Sequence, residues 1–137
     1  MDGLVVSVGV ESVIVPVSAI AESLRPPGTD IHMLPDRGAV LSIRGGYVPL
    51  LPLHQRLGIA GAVTDPSRAI VVIVETDHAG RLGLVVDDLV GQQQIVVKSL
   101  EANYGPIDGI GGATILRDGR VALILDIPGL AAAAPAV

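Results

Sequence analysis

The chain has 137 residues, half of them hydrophobic, and a mean hydropathy of +0.62, which is ample for a core and too rich in Val, Ile and Leu for a disordered segment. A formal charge of −5, with one lysine (Lys98) beside eight arginines, leaves no basic face for nucleic acid or an anionic membrane surface. Cysteine is absent, which excludes disulfides, thiolate metal sites and a Cys nucleophile, and no apolar run reaches the ~20 residues of a membrane helix.

Aromatics are nearly absent, with two Tyr and neither Phe nor Trp, so the core must come from branched aliphatics, which favour strands. Residues 4–8 read as a first strand and not as the apolar region of a signal peptide, because no basic segment precedes them. A turn at 9–12 leads to a strand over 13–17. Residues 18–25 predict a short helix, with Ser18 as N-cap and Pro26 as its stop. The stretch 26–35 is irregular by composition. Strands over 39–43 and 47–51 flank an Arg44-Gly45-Gly46 turn. Residues 52–57 form a helix begun by proline and ended at Gly58, and a loop follows over 60–67. Strands over 70–74 and 82–86 enclose a turn at 77–80. Residues 87–91 form one turn, 94–98 a strand and 101–112 a loop. Strands over 113–116 and 121–125 precede a helix over 128–134, and the tail from 131 frays. Nine short strands with turn signals between them predict an all-β sandwich or barrel.

The chain repeats itself once. Arg44-Gly45-Gly46-Tyr47-Val48-Pro49-Leu50-Leu51 matches Arg117-Asp118-Gly119-Arg120-Val121-Ala122-Leu123-Ile124 at an offset of 73 (117 − 44). Residues 8–20 match 75–90, with 13–17 falling on 83–87 at an offset of 70 (83 − 13). Two hairpins recurring in the same order point to two five-stranded barrels in one body, although any β protein offers some chance matches.

Chemistry-bearing motifs are missing. His32, His54 and His78 sit beside turns at spacings unsuited to a zinc site, and their default is a solvated loop histidine. No Gly-x-Ser-x-Gly elbow, Ser-x-x-Lys pair or phosphate loop occurs, and Gly109-Ile110-Gly111-Gly112 precedes a strand, not a helix. Asp87 and Asp88 are adjacent, so on a strand they face opposite sides and cannot act together as acid and base; Asp88 suits a turn cap. Gln92-Gln93-Gln94 and Lys98 are ordinary at a strand edge, yet uncharged polar side chains beside an apolar strand also suit a protein contact. No catalytic residue, cofactor or metal is expected.

Residues 82–100, Leu-Gly-Leu-Val-Val-Asp-Asp-Leu-Val-Gly-Gln-Gln-Gln-Ile-Val-Val-Lys-Ser-Leu, resemble the CheW-like regulatory domain of CheA-type chemotaxis histidine kinases. Residues 109–126, 15–20 and 43–53 extend the resemblance over essentially the whole chain, and the Gly-Gln-Gln-Gln-x-Val-x-Lys-x-Leu run is closer to CheA than to the free adaptor CheW. The resemblance implies an all-β fold of two intertwined five-stranded SH3-like barrels, with residues 1–137 forming one domain of two pseudo-repeated barrel subdomains. It implies a non-catalytic cytoplasmic module at receptor arrays under the inner membrane. Its partners would be CheW, the cytoplasmic tip of a chemoreceptor and the other domains of CheA, with no nucleic acid and no direct membrane contact. Ile20 and Arg44 match positions of the groove that takes the receptor helix, and Gly46, Tyr47, Val48, Gln93 and Arg117 complete the implied contact set. Two alternatives compete at individual residues: core packing for Ile20, and a carboxylate-paired turn arginine for Arg44. Pro52-Leu53 departs from the family, where an acidic residue often follows the second hairpin strand. A stand-alone CheW-type adaptor and a small β-barrel enzyme with a dispersed site are the competing functional readings.

Overall fold

The computed structural model describes residues 1–65, 68–77, 80–97 and 108–132. Among these, eleven strands and two short α-helices follow in order. The first half holds β1 (Asp2–Val8), β2 (Glu11–Pro16), β3 (Ile20–Leu24), β4 (Ile31–Leu34), β5 (Gly38–Ile43), β6 (Gly46–Pro52) and α1 (Leu53–Leu57). The second holds β7 (Ile70–Thr76), β8 (Gly80–Val86), β9 (Asp88–Gln94), β10 (Ile110–Ile115), β11 (Val121–Leu125) and α2 (Ile127–Ala132). They form a five-stranded sheet, β10-β11-β2-β1-β9, and a six-stranded sheet, β3-β7-β8-β6-β5-β4.

Each sheet takes one hairpin from each half of the chain. The early hairpin β1–β2 joins the late hairpin β10–β11 through the parallel pair β2·β11, and β7–β8 joins β5–β6 through the parallel pair β6·β8. The two sequence offsets carry one junction onto the other. Ile14↔Ile124 falls on Leu84↔Leu51, and Val13↔Leu123 falls on Gly83↔Leu50.

The central strands lie between two apolar layers, which is why their aliphatic runs do not alternate with polar residues. Leu4, Val6 and Val8 of β1 meet Val72, Val74, Leu82 and Leu84 in a core shared by the sheets, which Leu130 of α2 helps close. The residues between them point away into smaller cores. Val5 and Ile14 pack with Ile95, Leu116 and Ile124, while Val71, Ile73 and Val85 pack with Leu41 and Leu50.

Three expectations need correction. The helix over 18–25 is a single 3-10 turn, Val17–Ala19, followed by β3. Ile20 and Leu24 also suit a helix face, but the half-buried, exposed alternation from 20 to 24 has a period of two, and β3 pairs with β7. The stretch 26–35 contains β4, too short and too closely flanked by Pro and Asp to read as a strand. The turn at 87–91 and the strand from 94 are one earlier strand, β9, paired with β1 across a bulge. It exposes Val90, Gln92 and Gln94, so no aliphatic run announces it. Of the expected strand over 94–98, Lys98 lies outside the described residues, as do most of the loop over 101–112, His78 and the end of the tail.

The chain crosses from the six-stranded to the five-stranded sheet at Asp87, the single residue between β8 and β9. Its N–H donates to the Ser7 carbonyl at 2.9 Å. Its carboxylate accepts the Gly9 N–H at 2.8 Å and the Val63 N–H at 3.0 Å. Asp88 accepts the Leu89 N–H and lies 3.7 Å from Arg25, so the two aspartates serve different neighbours.

Candidate partner-binding surface

The β5–β6 turn is a two-residue loop in which Arg44 (φ 48°) and Gly45 (φ 78°) both take positive φ. That is the hairpin geometry whose twist matches the flanking strands. Gly46 begins β6 opposite Ile43, so Gly45 and not Gly46 supplies the turn's glycine conformation. The counterpart turn is built differently. Leu116 donates to the Arg120 carbonyl across a longer loop, and Gly119 (φ 89°) takes the left-handed position.

Arg44 projects from its turn onto Glu22 of β3. One guanidinium nitrogen lies 2.5 Å from Oε2 and the other 2.9 Å from Oε1, a two-point contact between fork and carboxylate. The sheet order places β3 at one edge and β5–β6 toward the other, so this contact shows the six-stranded sheet curled until its ends meet. Both alternatives raised for Ile20 and Arg44 have a physical basis here: Ile20 is partly buried against the shared core, and Arg44 is paired with a carboxylate. The arginine nevertheless remains well exposed.

Tyr47 stands beside this clasp, 59% exposed, with its ring edge-to-face against His32 of β4 at 6.1 Å between centroids. Met33, next along β4, is 74% exposed. Val48 is buried opposite Leu41 and lies beneath the surface. Arg44, Gly46 and Tyr47 thus share one hairpin with Glu22 and His32 as neighbours, whereas Arg117 occupies the other hairpin and Gln93 sits half-buried in β9 opposite Gly3. Beside Arg117, Ile115 and Val121 face each other across the β10–β11 ladder, each more than half exposed. Between the halves, Arg56 and Leu57 of α1 face Asp108, Ile110 and Leu123 across an open groove.

Sequence reasoning missed Glu22, His32 as a ring partner, and the Ile115–Val121 pair. Pairing register reveals the last of these, and the folding of the sheet reveals the first two. No group of three or more His, Asp or Glu side chains among the described residues is placed to hold a metal ion. No described helix is long and apolar enough to cross a membrane.

The hydrogen bond from Arg44, reinforced by its charge, holds the Glu22 carboxyl below its ordinary value of 4.5, and Glu22 in turn raises the Arg44 guanidinium. A carboxyl depressed in the folded state contributes stability above its unfolded pKa and loses it as pH falls through the folded value. The clasp should therefore stay closed at neutral pH and through the usual Glu range, opening only at more acidic pH. Carboxyl chemical shifts should give Glu22 a midpoint below 4.5, and Arg44→Gln should return it toward 4.5. A wild-type midpoint at or above 4.5 would count against the clasp.

A family model described as "CheW-like domain" matches residues 2–134. The "Chemotaxis protein CheA" of Rhizobium meliloti is 43% identical over 133 residues, covering 97% of this chain and 18% of that protein. That of Salmonella typhimurium is 47% identical over 131 residues, covering 95% of this chain and 19% of that protein. The chain therefore spans about a fifth of the length of these relatives. Among solved structures, the "scaffolding protein TtCheW" of Thermoanaerobacter tengcongensis superposes with a TM-score of 0.76 at 17% identity, covering 91% of this chain and 88% of that one.

Proposed function

Because the chain belongs to the CheW-like domain family, we propose that it is the non-catalytic module through which a CheA-type histidine kinase couples to chemoreceptors and to the adaptor CheW. The near-complete match to CheA proteins at 43–47% identity carries this reading, against 17% for the CheW-type structure. It favours the kinase-borne domain over the stand-alone adaptor. In this reading the two sheets are two pseudo-repeated barrel subdomains. The groove between α1 and β10–β11 receives the receptor's cytoplasmic tip helix, and the hairpin ends meet CheW and other domains of the kinase. The setting is cytoplasmic, at receptor arrays under the inner membrane.

The surface supports this role. The Arg44 end offers an exposed guanidinium and the exposed Tyr47 ring, a mixture suited to a protein contact. The Arg117 end offers a second guanidinium beside two aliphatic side chains.

Arg44 lies on the β5–β6 turn and not among the residues lining the groove between α1 and β10–β11, so Arg44→Glu should weaken binding of CheW by about fivefold or more, because reversed charge adds repulsion to the lost hydrogen bonds. The same change also opens the clasp to Glu22, so a charge swap separates the two effects. Glu22→Arg with Arg44→Glu restores an ion pair and leaves the guanidinium misplaced for a partner. Calorimetry should find the swap as weak as the single variant. Recovery by the swap would show that Arg44 acts only through the clasp, and wild-type affinity in the single variant would remove it from the site. Arg68→Glu should be near-neutral for folding and binding.

A further inference from the structure

We propose that Asp87 is the positioning residue of the groove, holding the α1 wall opposite β10–β11 through the loop that follows α1. The groove's role as the receptor site rests on the coupling function above; its geometry does not.

α1 has five residues and ends at Gly58 in the left-handed conformation, where Ile59 donates to the His54 carbonyl at 2.8 Å. A helix this short has little stability of its own, so its place is set by the packing of Leu53 and Leu57 on the shared core and by what fixes its ends. Its N-terminal end continues directly from β6. Its C-terminal end runs into residues 59–63, anchored at two points, the β1–β2 turn and the crossing between the sheets. Val10 donates to the Ala60 carbonyl at 3.3 Å, and Val63 donates to Asp87 Oδ1 at 3.0 Å. The other carboxylate oxygen takes the Gly9 N–H at 2.8 Å, and the Asp87 N–H is bound to Ser7. One side chain thus joins the α1 loop, the β1–β2 turn and the crossing between sheets, with both oxygens engaged. Bonds from backbone N–H to an ionised carboxylate are stronger than neutral ones. An asparagine in its place keeps one acceptor and turns an NH2 toward the other N–H, so only one segment stays tied. The groove wall carrying Arg56 and Leu57 is then free to shift relative to Ile110 and Leu123.

The chain has no cysteine, so Gln55→Cys on α1 and Val121→Cys on β11 give a unique pair of spin-label sites. The distance distribution should be narrow with Asp87 present and at least about twofold broader with Asp87→Asn, while the Val63 amide exchanges about tenfold faster and the Val72 amide of β7 is unchanged. Equal widths and equal Val63 exchange in the two proteins would overturn the proposal. So would acceleration at Val63 and Val72 alike, which marks a loss of global stability only. If Asp87→Asn fails to fold, exchange in the wild-type protein decides. Gly9 and Val63 amides protected together support the tie, and a Val63 amide exchanging at the unprotected rate refutes it. Should the wild-type domain not bind a receptor fragment, the coupling function fails while the label distances still test Asp87.

Discussion

Gly9→Ala should lower stability by at least about 3 kcal/mol, and it is among the most damaging single methyl groups this fold can receive. Gly9 has φ +56°, and a Cβ there would lie 2.0 Å from the Ala60 carbonyl oxygen and 3.0 Å from both its carbon and Ile59 Cγ2. A non-glycine residue in this conformation costs roughly 1–2 kcal/mol before any clash. The clash then forces apart the turn and the loop that Asp87 holds together, because the obstructing atom is backbone and cannot rotate away. Gly45→Ala is the control. It shares the positive φ (+78°), but nothing lies within 4 Å of its Cβ, so only the conformational cost of about 1–2 kcal/mol should appear. Urea unfolding with unchanged m-values measures both. Equal losses for the two variants would show that the approach to Ala60 has no energetic weight.

Leu84→Ala should cost about 2–5 kcal/mol. Leu84 is fully buried in the core shared by the two sheets and lies opposite Leu51 in the parallel β6·β8 pair. Truncation removes apolar surface where β-strands from both sheets converge, and a cavity bounded by hydrogen-bonded strands collapses poorly. Val121→Ala on the exposed face of β11 should stay within about 0.5 kcal/mol. A loss below about 1 kcal/mol for Leu84→Ala would mean that the shared core is loosely packed.

The parts of the fold that were legible in the sequence are those whose burial is two-sided. The aliphatic runs of β1, β2, β7 and β8 stand out because both faces of each strand meet a core. The repeat was legible because its offsets are preserved in the ladder register. The edge strands β3, β4 and β9 were not, although the edge strand β10 was legible over 113–116. β4 is four residues long, and β9 presents glutamines to solvent, so neither carries the pattern that burial imposes. The Arg44 turn was visible as a hairpin, but its carboxylate partner was not. Glu22 lies on an edge strand whose residues also suit a helix face, and only the curl of the sheet brings it into reach. Asp87 was visible only as half of a carboxylate pair, because its hydrogen-bond partners lie in two distant turns.

The exchange of hairpins between the sheets has a kinetic consequence. β2 cannot complete its ladder until β11, near the other end of the chain, has been made, and β6 must wait for β8 across the loop after α1. Loop-closure entropy must be overcome before either parallel pair contributes stability, so contact order is high and folding belongs to the milliseconds-to-seconds range of β topologies. On a ribosome the first half would emerge with the β2 edge and the inner faces of β1 and β2 uncovered. The same dependence makes the halves complementary. A chain cut in the loop between α1 and β7 should yield two fragments that are each unstructured alone and that regain the native ladders on mixing.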